Sequence, residues 1–170
     1  IYKTVDYYLG LAENAISYVK DIKTPASLIS ICHRRIGVTS TLFDLYNPFN
    51  LVIDYKVRDV AEYIKSVFFY GENSCVEGVV NSENMIVDKC NIILERIFKK
   101  YIFDNEALKL LFARLLFPSY YFDLYENVID NSLNENVISC ITKKSSAYEE
   151  FLKIILLKTP IPYVEWLASK

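Results

Sequence analysis

The chain has little of what a metal site needs. It contains one histidine, His33, and its four cysteines, Cys32, Cys75, Cys90 and Cys140, are far apart and form no C-x-x-C pair. A structural zinc site takes four close-set nitrogen or sulfur ligands, so no such site is expected. Each cysteine stands among apolar residues, where a thiol behaves as a small hydrophobic side chain. We therefore predict free thiols in a reducing compartment.

The chain also lacks a basic excess and a long apolar run. Lysine plus arginine number 19 against 21 acidic residues, for a net charge of −2, whereas nucleic-acid binders usually gather a basic excess on one face. The longest apolar run, residues 154–157, is far short of the ~20 residues that cross a bilayer. The first 22 residues alternate apolar and charged side chains, unlike a signal peptide. We expect no nucleic-acid partner, no membrane span, and a soluble protein that is not secreted.

The sequence has no internal repeat, no linker and no low-complexity segment. Hydrophobic residues make up 52% of its 170 residues, and a chain of this size buries roughly 70% of its unfolded surface. We therefore predict a single helical domain over residues 1–170. The first residue is Ile1 and not Met, which leaves open that the chain is part of a longer protein.

Apolar residues recur at helical spacing along most of the chain. Two short β-branched runs, residues 27–32 and 51–54, instead predict strands that could pair as a hairpin. Glycine or proline stops three of the helices, at Pro25, Gly71 and Pro118, and an aspartate is predicted to cap one of them. Three of the predicted helices cover residues 2–22, 82–100 and 148–157. The other three run from Val57 to a stop at Gly71, from an N-cap at Asp104 to Pro118, and from Tyr121 to Val128. This is a mainly α fold of about six helices around one small β-hairpin.

Aromatic residues are abundant, with 14 tyrosines and 10 phenylalanines. Most fall at the spacing of helix core positions, as Phe68, Phe112 and Tyr125 do. Large aromatic side chains normally stabilise cores, while the tyrosine hydroxyl finds a polar partner. We predict that they form the core and not a stacking platform for ligands, with the run at residues 120–122 left open.

The order of elements is that of the C-terminal lobe of a kinase: a helix, a strand, a loop with His33, a strand ending at Asp54, then helices. In that architecture an H-R-D-x-x-x-x-N loop supplies an acid that deprotonates the substrate and an amide that holds magnesium. Here Arg35 stands where the acid belongs and Ser40 where the amide belongs. Only Asp54 fits the second, metal-binding acid.

Four segments carry a resemblance to a known family: residues 7–16 (YYLGLAENAI), 31–35 (ICHRR), 58–63 (RDVAEY) and 161–167 (IPYVEWL). They resemble the spore coat proteins of the CotS/YutH type, which are kinase-like, related in fold to aminoglycoside and choline phosphotransferases, and found in endospore-forming Firmicutes. The resemblance implies a kinase-like C-terminal lobe whose N-terminal lobe is absent from this chain. It further implies a location in the cytoplasm or on the mother-cell side of the spore coat, with other coat proteins as partners.

Each candidate site residue has a structural interpretation beside the functional one. His33 could be a structural histidine braced beneath the loop or a catalytic one, and Asp54 could cap a turn or bind a metal. Arg34 and Arg35 could bind an anion or pair with Asp54 and Asp59. Asp59 lies near a helix N-terminus, where negative charge is favourable by 0.3–1 kcal/mol. The resemblance gives the Arg58-Asp59 stretch a further role, in which the aspartate braces the catalytic loop.

The departures from the kinase pattern decide the predicted function. Losing a general base typically costs 10²–10⁴-fold in rate, and losing a metal ligand removes part of the charge stabilisation on which phosphoryl transfer depends. We predict a non-catalytic, pseudokinase-type domain without a cofactor, with a structural or interaction role in the spore coat. One alternative is a divergent small-molecule phosphotransferase in which Asp54 binds Mg-ATP. A helical adaptor unrelated to kinases is a third.

Overall fold

The structure is a computed structural model that describes residues 2–20, 22–23, 26–71, 83–130 and 136–158. Short 3-10 turns, Ala26–Leu28 and Pro48–Asn50, precede the two strands. Within the described ranges, the elements in chain order are α1 (Tyr2–Val19), β1 (Ile29–His33), α2 (Leu42–Tyr46), β2 (Leu51–Tyr55), α3 (Val57–Tyr70), α4 (Glu83–Lys100), α5 (Asn105–Leu116), α6 (Ser119–Ile129), α7 (Asn136–Lys143) and α8 (Ser145–Lys158).

The predicted mainly α fold with one β-hairpin is confirmed. Six of the described helices have 11 or more residues, and each corresponds to a predicted helix. The short helices α2 and α7, with five and eight residues, were not predicted. Helix α2 is held by a reciprocal cap between Thr41 and Asp44, because each of the two side chains satisfies a backbone N–H at the start of the helix. Helix α2 is too short for the helical spacing of apolar residues to be recognised in its sequence.

The two strands pair antiparallel, and their register fixes which side chains share a face. Ile31 lies opposite Ile53 at the middle of five paired positions, with His33 opposite Leu51 at one end. Cys32 is buried against the helices, whereas Ile31 and Ile53 are 70% and 82% exposed. One face of the hairpin therefore packs on the helices and the other faces outward.

Aromatic side chains form the centre of the core, as predicted. The ring centroids of Phe69 and Tyr120 are 3.7 Å apart, as are those of Tyr8 and Tyr121, and both pairs are stacked. Tyr148 is buried and its hydroxyl donates to the Leu115 carbonyl at 2.7 Å. The run left open at residues 120–122 therefore supplies two core side chains, Tyr120 and Tyr121, and they offer no exposed stacking platform.

Among the cysteines that the structure describes, the prediction of free thiols is wrong for Cys140. Cys140 is disulfide-bonded, whereas Cys32 and Cys90 are free and buried. The spacing of the cysteines gives no sign of this bond, because a disulfide depends on proximity in space. Cys75 and the segment at residues 161–167 lie outside the described residues.

Helix α3 connects the hairpin to the rest of the lobe. It begins two residues after β2 and packs against β1, α4, α5 and α6. Its buried side chains recur at helical spacing, as in Val57, Ala61, Ile64 and Phe68, so its inner face is apolar and its first turns hold charged side chains beside the hairpin. Within the described ranges, none of the helices is both long and apolar enough to cross a membrane.

We expect Asp104→Ala to lower the free energy of unfolding by about 1 kcal/mol, the usual value of an N-cap. The Asp104 carboxylate accepts a hydrogen bond from the Ala107 N–H at 2.7 Å at the start of α5. Urea denaturation followed by circular dichroism measures the loss. Asp104→Asn is the matched control, since an asparagine oxygen can still cap the helix; an equal loss in both variants would contradict the capping role.

Candidate functional site

The structure brings four of the predicted site residues together where the hairpin meets α3. His33 ends β1, Asp54 lies one residue before the end of β2, and Arg58 and Asp59 lie in the first turn of α3. Only Lys56 separates β2 from α3, so Asp54 and Arg58 are four residues apart and their side chains meet directly. The short junction thus places two carboxylates, a guanidinium group and an imidazole in one cluster.

Both ring nitrogens of His33 are engaged within the protein. Nδ1 lies 2.7 Å from Oδ2 of Asp59, and Nε2 lies 3.1 Å from the Leu45 carbonyl oxygen. The backbone N–H of His33 also donates to Oδ1 of Asp59, at 2.8 Å. Because a carboxylate and a carbonyl both accept hydrogen bonds, this geometry fits an imidazolium that donates from both nitrogens.

The hydrogen bond from the Asp59 carboxylate is the main reason why the pKa of His33 lies above its ordinary value. Partial burial opposes the shift, and the Leu45 carbonyl adds to it. The three contacts of His33 tie the end of β1 to α2 and α3, and they use both of its ring nitrogens.

Both carboxylate oxygens of Asp54 are held by guanidinium groups. Arg58 donates from Nη1 to Oδ2 at 2.7 Å, and Arg114 of α5 donates from Nη2 to Oδ1. The Tyr55 N–H donates to Oδ1 at 2.7 Å as well. Burial by itself raises the pKa of Asp54, but the hydrogen bonds from Arg58 and Tyr55 and the charge of Arg114 outweigh it, and the pKa lies below its ordinary value.

Arg58 also fixes the loop that follows β1. Its Nε donates to the His33 carbonyl at 2.9 Å and its Nη2 to the Arg34 carbonyl at 3.0 Å. Together with the two hydrogen bonds that Asp59 accepts from His33, these contacts hold the end of β1 and the first residue of the following loop against α3. Asp59, which the resemblance expects to brace this loop, therefore contacts its start, as does Arg58.

Arg35 and Ser40, predicted to stand at the positions of the kinase acid and amide, both make contacts within the protein. The Arg35 guanidinium donates to Oδ1 of Asp123 on α6 at 2.7 Å, and the two side chains are 55% and 40% exposed. The hydroxyl of Ser40 accepts from the Gly37 N–H at 2.9 Å and closes a local turn. Charge pairing of Arg35 was predicted with Asp54 or Asp59, but the partner in the structure is Asp123.

A cleft of about 800 Å³ opens between α1, α3, α5 and α6. The side chains of Ile16, Val19 and Phe117 contribute to its apolar wall. Four cationic side chains also line it, and each is bound to a carboxylate in the protein: Arg35 to Asp123, Arg58 and Arg114 to Asp54, and Lys65 to Glu62. Because Arg58 and Arg114 share Asp54, four cations on this wall are paired with three carboxylates.

Lys65 is the most deeply buried of these cations, with 3% of its surface exposed. Its ammonium group donates to Oε1 of Glu62 at 2.7 Å and to the Ser119 hydroxyl at 2.6 Å. Burial is the main reason why its pKa lies below the ordinary value for lysine. Sequence reasoning missed Arg114 and Asp123, because their partners Asp54 and Arg35 lie far away along the chain, in β2 and in the loop after β1. It also missed Lys65, whose pairing with Glu62 on the same helix is local but whose burial against Ser119 depends on tertiary packing.

The described residues contain no group of three or more histidine, cysteine or acidic side chains placed to hold a metal ion. Asp54 is the residue that the sequence proposes as a metal ligand, and its oxygens face two arginines. The cluster ties β1, β2, α3 and α5 together through charge-assisted hydrogen bonds.

We expect the stabilisation from His33 to decrease as pH rises. A group whose pKa is raised by folding stabilises the folded state fully below its unfolded pKa, near 6.5, and this contribution is lost as pH rises through the folded pKa. The free energy of unfolding should therefore exceed that of His33→Gln by more at about pH 5.5 than at about pH 8.5. Urea titrations at both pH values measure the two differences.

Asp59→Asn provides the control for this pH dependence, because it keeps the shape of the side chain and removes the charge that raises the pKa of His33. In this variant, most of the pH-dependent contribution of His33 to the free energy of unfolding should be lost. A difference between the wild-type chain and His33→Gln that stays constant with pH would contradict an imidazolium that donates to Asp59.

Comparison with known proteins identifies the family. Residues 1–155 match the family described as "Spore coat putative kinase YutH". The endospore coat-associated protein YutH of Bacillus subtilis (strain 168) is 28% identical to this chain over 182 residues, which cover 96% of the chain and 50% of that protein. The chain thus spans about half the length of this relative. No solved structure matches the chain. The family match extends over most of the sequence, so this chain belongs to the YutH family of spore coat proteins.

Proposed function

We propose that this chain is a non-catalytic, kinase-like lobe with a structural or interaction role in a spore coat-associated protein. The observation that carries the proposal is the double guanidinium contact of Asp54, which occupies both oxygens of the acid expected to bind magnesium. The coat association follows from the family and from the name of the Bacillus subtilis relative.

Magnesium binding at Asp54 would require the protein to give up contacts that it already makes. Magnesium is usually bound through one or two carboxylates in near-ideal octahedral geometry. Here Oδ1 already accepts from Arg114 and the Tyr55 N–H, and Oδ2 accepts from Arg58, so a magnesium ion on either oxygen would lie against a mostly buried guanidinium group and displace it by charge repulsion. Separating such a pair leaves an uncompensated charge, which is strongly destabilising. The two remaining positive charges would also repel a divalent cation.

The residue at the predicted position of the general base, Arg35, gives independent support for a non-catalytic role. Arginine stays protonated in proteins and has no acceptor atom, so Arg35 cannot take a proton from a substrate hydroxyl. The carboxylate that forms an ion pair with the Arg35 guanidinium is that of Asp123. The side chains at the two kinase positions thus serve contacts inside the lobe.

The divergent phosphotransferase and this proposal differ in what they expect from Asp54→Asn. Under our proposal, the substitution should lower the free energy of unfolding by about 2 kcal/mol, because two mostly buried guanidinium groups lose their shared anion. The wild-type chain should show no heat of binding with Mg-ATP in titration calorimetry. Denaturation and calorimetry on the same preparations of the full chain measure both.

Asp88→Asn is the matched control, since Asp88 is exposed on α4 and a surface substitution of this kind usually changes stability by less than about 0.5 kcal/mol. Stoichiometric Mg-ATP binding by the wild-type chain, abolished in Asp54→Asn with stability unchanged, would establish the phosphotransferase alternative in place of the structural role.

The coat association makes a separate prediction. A fluorescent fusion of the full chain, produced in sporulating Bacillus subtilis, should collect at the surface of the developing spore, because its family and its relative are associated with the coat. Fluorescence microscopy through sporulation measures the distribution. Fluorescence that stays uniform in the mother cell, at a level where an established coat protein is localised, would contradict a coat role for this chain.

A further inference from the structure

The cleft between α1, α3, α5 and α6 has the size and the lining of a small-molecule site. Its volume of about 800 Å³ lies within the range of about 300–1,000 Å³ that is usual for ligand pockets. Such pockets are lined mainly by apolar side chains, with a few polar groups that orient the ligand. Each of the four helices contributes residues three or four positions apart, such as Arg58, Glu62 and Lys65 on α3. One face of each helix therefore lines the cleft.

The apolar part of the lining comes mostly from α1 and from α5 with its C-terminal end. Leu110 and Ala113 of α5 are buried, whereas Ile16 on α1 is 59% exposed and Phe117, which follows α5, is 36% exposed. Apolar surface that stays open to water inside a cleft can still be buried against a ligand, and that burial is favourable. The two exposed side chains therefore offer a surface to the apolar part of a bound molecule.

The polar part of the lining holds a cluster of cations, Arg35, Arg58, Lys65 and Arg114. Burial is the main reason why the pKa of Lys65 is low; the charge of Glu62 opposes this shift, and the charges of Arg114 and Arg35 add to it. Lys65 is thus close enough to two guanidinium groups to be repelled by them. An anion bound among these side chains would reduce the repulsion.

Arg114 has hydrogen-bond donors available for such an anion. A guanidinium group carries five N–H donors, and the contact with Asp54 uses Nη2 of Arg114. The side chain makes no other hydrogen bond within the part of the chain that the structure describes, and 28% of it is exposed. An ionised carboxylate only accepts hydrogen bonds, so it matches these donors.

The acidic side chains of the cleft leave this end open to an anion. Glu62 and Asp123 are paired with Lys65 and Arg35. Glu126 is exposed and lies seven residues after Ser119, the residue of α6 that contacts Lys65. At 1.5 Å per residue this is about 10 Å along the helix axis, a separation at which salt largely screens the interaction between exposed charges.

We propose that this cleft binds a small molecule with an apolar body and one carboxylate. The carboxylate accepts hydrogen bonds from Arg114 near Lys65, and the apolar body packs on Ile16 and Phe117. Neither magnesium nor a nucleotide takes part in this binding. The test of the cleft is therefore independent of the structural role proposed above.

Titration calorimetry of the full chain with octanoate, octanol and octylammonium tests the class of ligand, because the three probes share one apolar chain and differ in charge. All are kept below the concentration at which they form micelles. Octanoate should form a one-to-one complex about tenfold tighter than that of octanol, since charge-assisted hydrogen bonds are about twice as strong as neutral ones. Octylammonium should bind most weakly, because it meets like charges.

Three results of this titration overturn the proposal. The first is the absence of any heat of binding with octanoate. The second is equal affinity for octanoate and octanol, which would leave the cations without a role. The third is tighter binding of octylammonium than of octanoate, which would assign the cleft to a cation.

Ile16→Asp tests the location of the site. It removes apolar contact and places a second negative charge beside the ligand, so octanoate binding should weaken about tenfold or more. Leu9→Asp is the matched control, since Leu9 also lies on α1, is 46% exposed and does not line the cleft. It should bind octanoate as the wild-type chain does. Equal affinities in the two variants would mean that octanoate binds elsewhere, and the proposal would fail.

Arg114→Gln tests the position of the carboxylate. The affinity for octanoate should decrease to that for octanol, while the affinity for octanol stays unchanged, because only the ionised probe uses the guanidinium group. A preference for octanoate that survives in the folded variant overturns the proposal. The substitution also removes a contact of Asp54, so circular dichroism checks the fold; if the variant does not fold, the comparison of Ile16→Asp with Leu9→Asp decides.

Discussion

The shared carboxylate of Asp54 is the interaction on which the arrangement of this lobe depends. It receives Arg58 from the next helix and Arg114 from a helix 60 positions further along the chain. Through this one group, β2, α3 and α5 are held in fixed relation. Charge-assisted hydrogen bonds of this kind are about twice as strong as neutral ones. They also require defined geometry, so the contact specifies where the hairpin lies on the helices.

The neighbouring contacts extend this fixed relation to the loop after β1. Asp59 holds the imidazole and the backbone N–H of His33, while Arg58 holds the carbonyls of His33 and Arg34. Each of these backbone groups lies at the end of a strand, where no further ladder bond is available to it. Side chains from α3 therefore complete the hydrogen bonding that the short sheet leaves unfinished.

Much of the fold could be predicted from the sequence because its signals are local. The period of apolar residues locates the six longer helices, and Asp104 and Pro118 mark the boundaries of α5 as the structure has them. The strands were found within two residues at each end.

The site could be predicted only in part: His33, Asp54, Arg58 and Asp59 lie close in sequence, whereas Arg114 and Asp123 reach the cluster through packing of distant helices. No spacing rule relates Asp54 to Arg114 or Arg35 to Asp123, since these contacts depend on tertiary structure. The disulfide of Cys140 was missed for the same reason.

The immediate passage from β2 into α3, with Lys56 alone between them, has a consequence for the rigidity of this region. An acid at a strand end that awaits a cation carries uncompensated charge until the cation arrives, and its surroundings can shift between the two conditions. Here the compensating charges belong to the polypeptide itself and are present at all times. Under the structural role proposed above, the junction would keep one geometry whether or not small ions and nucleotides are available, which suits a part that holds a shape.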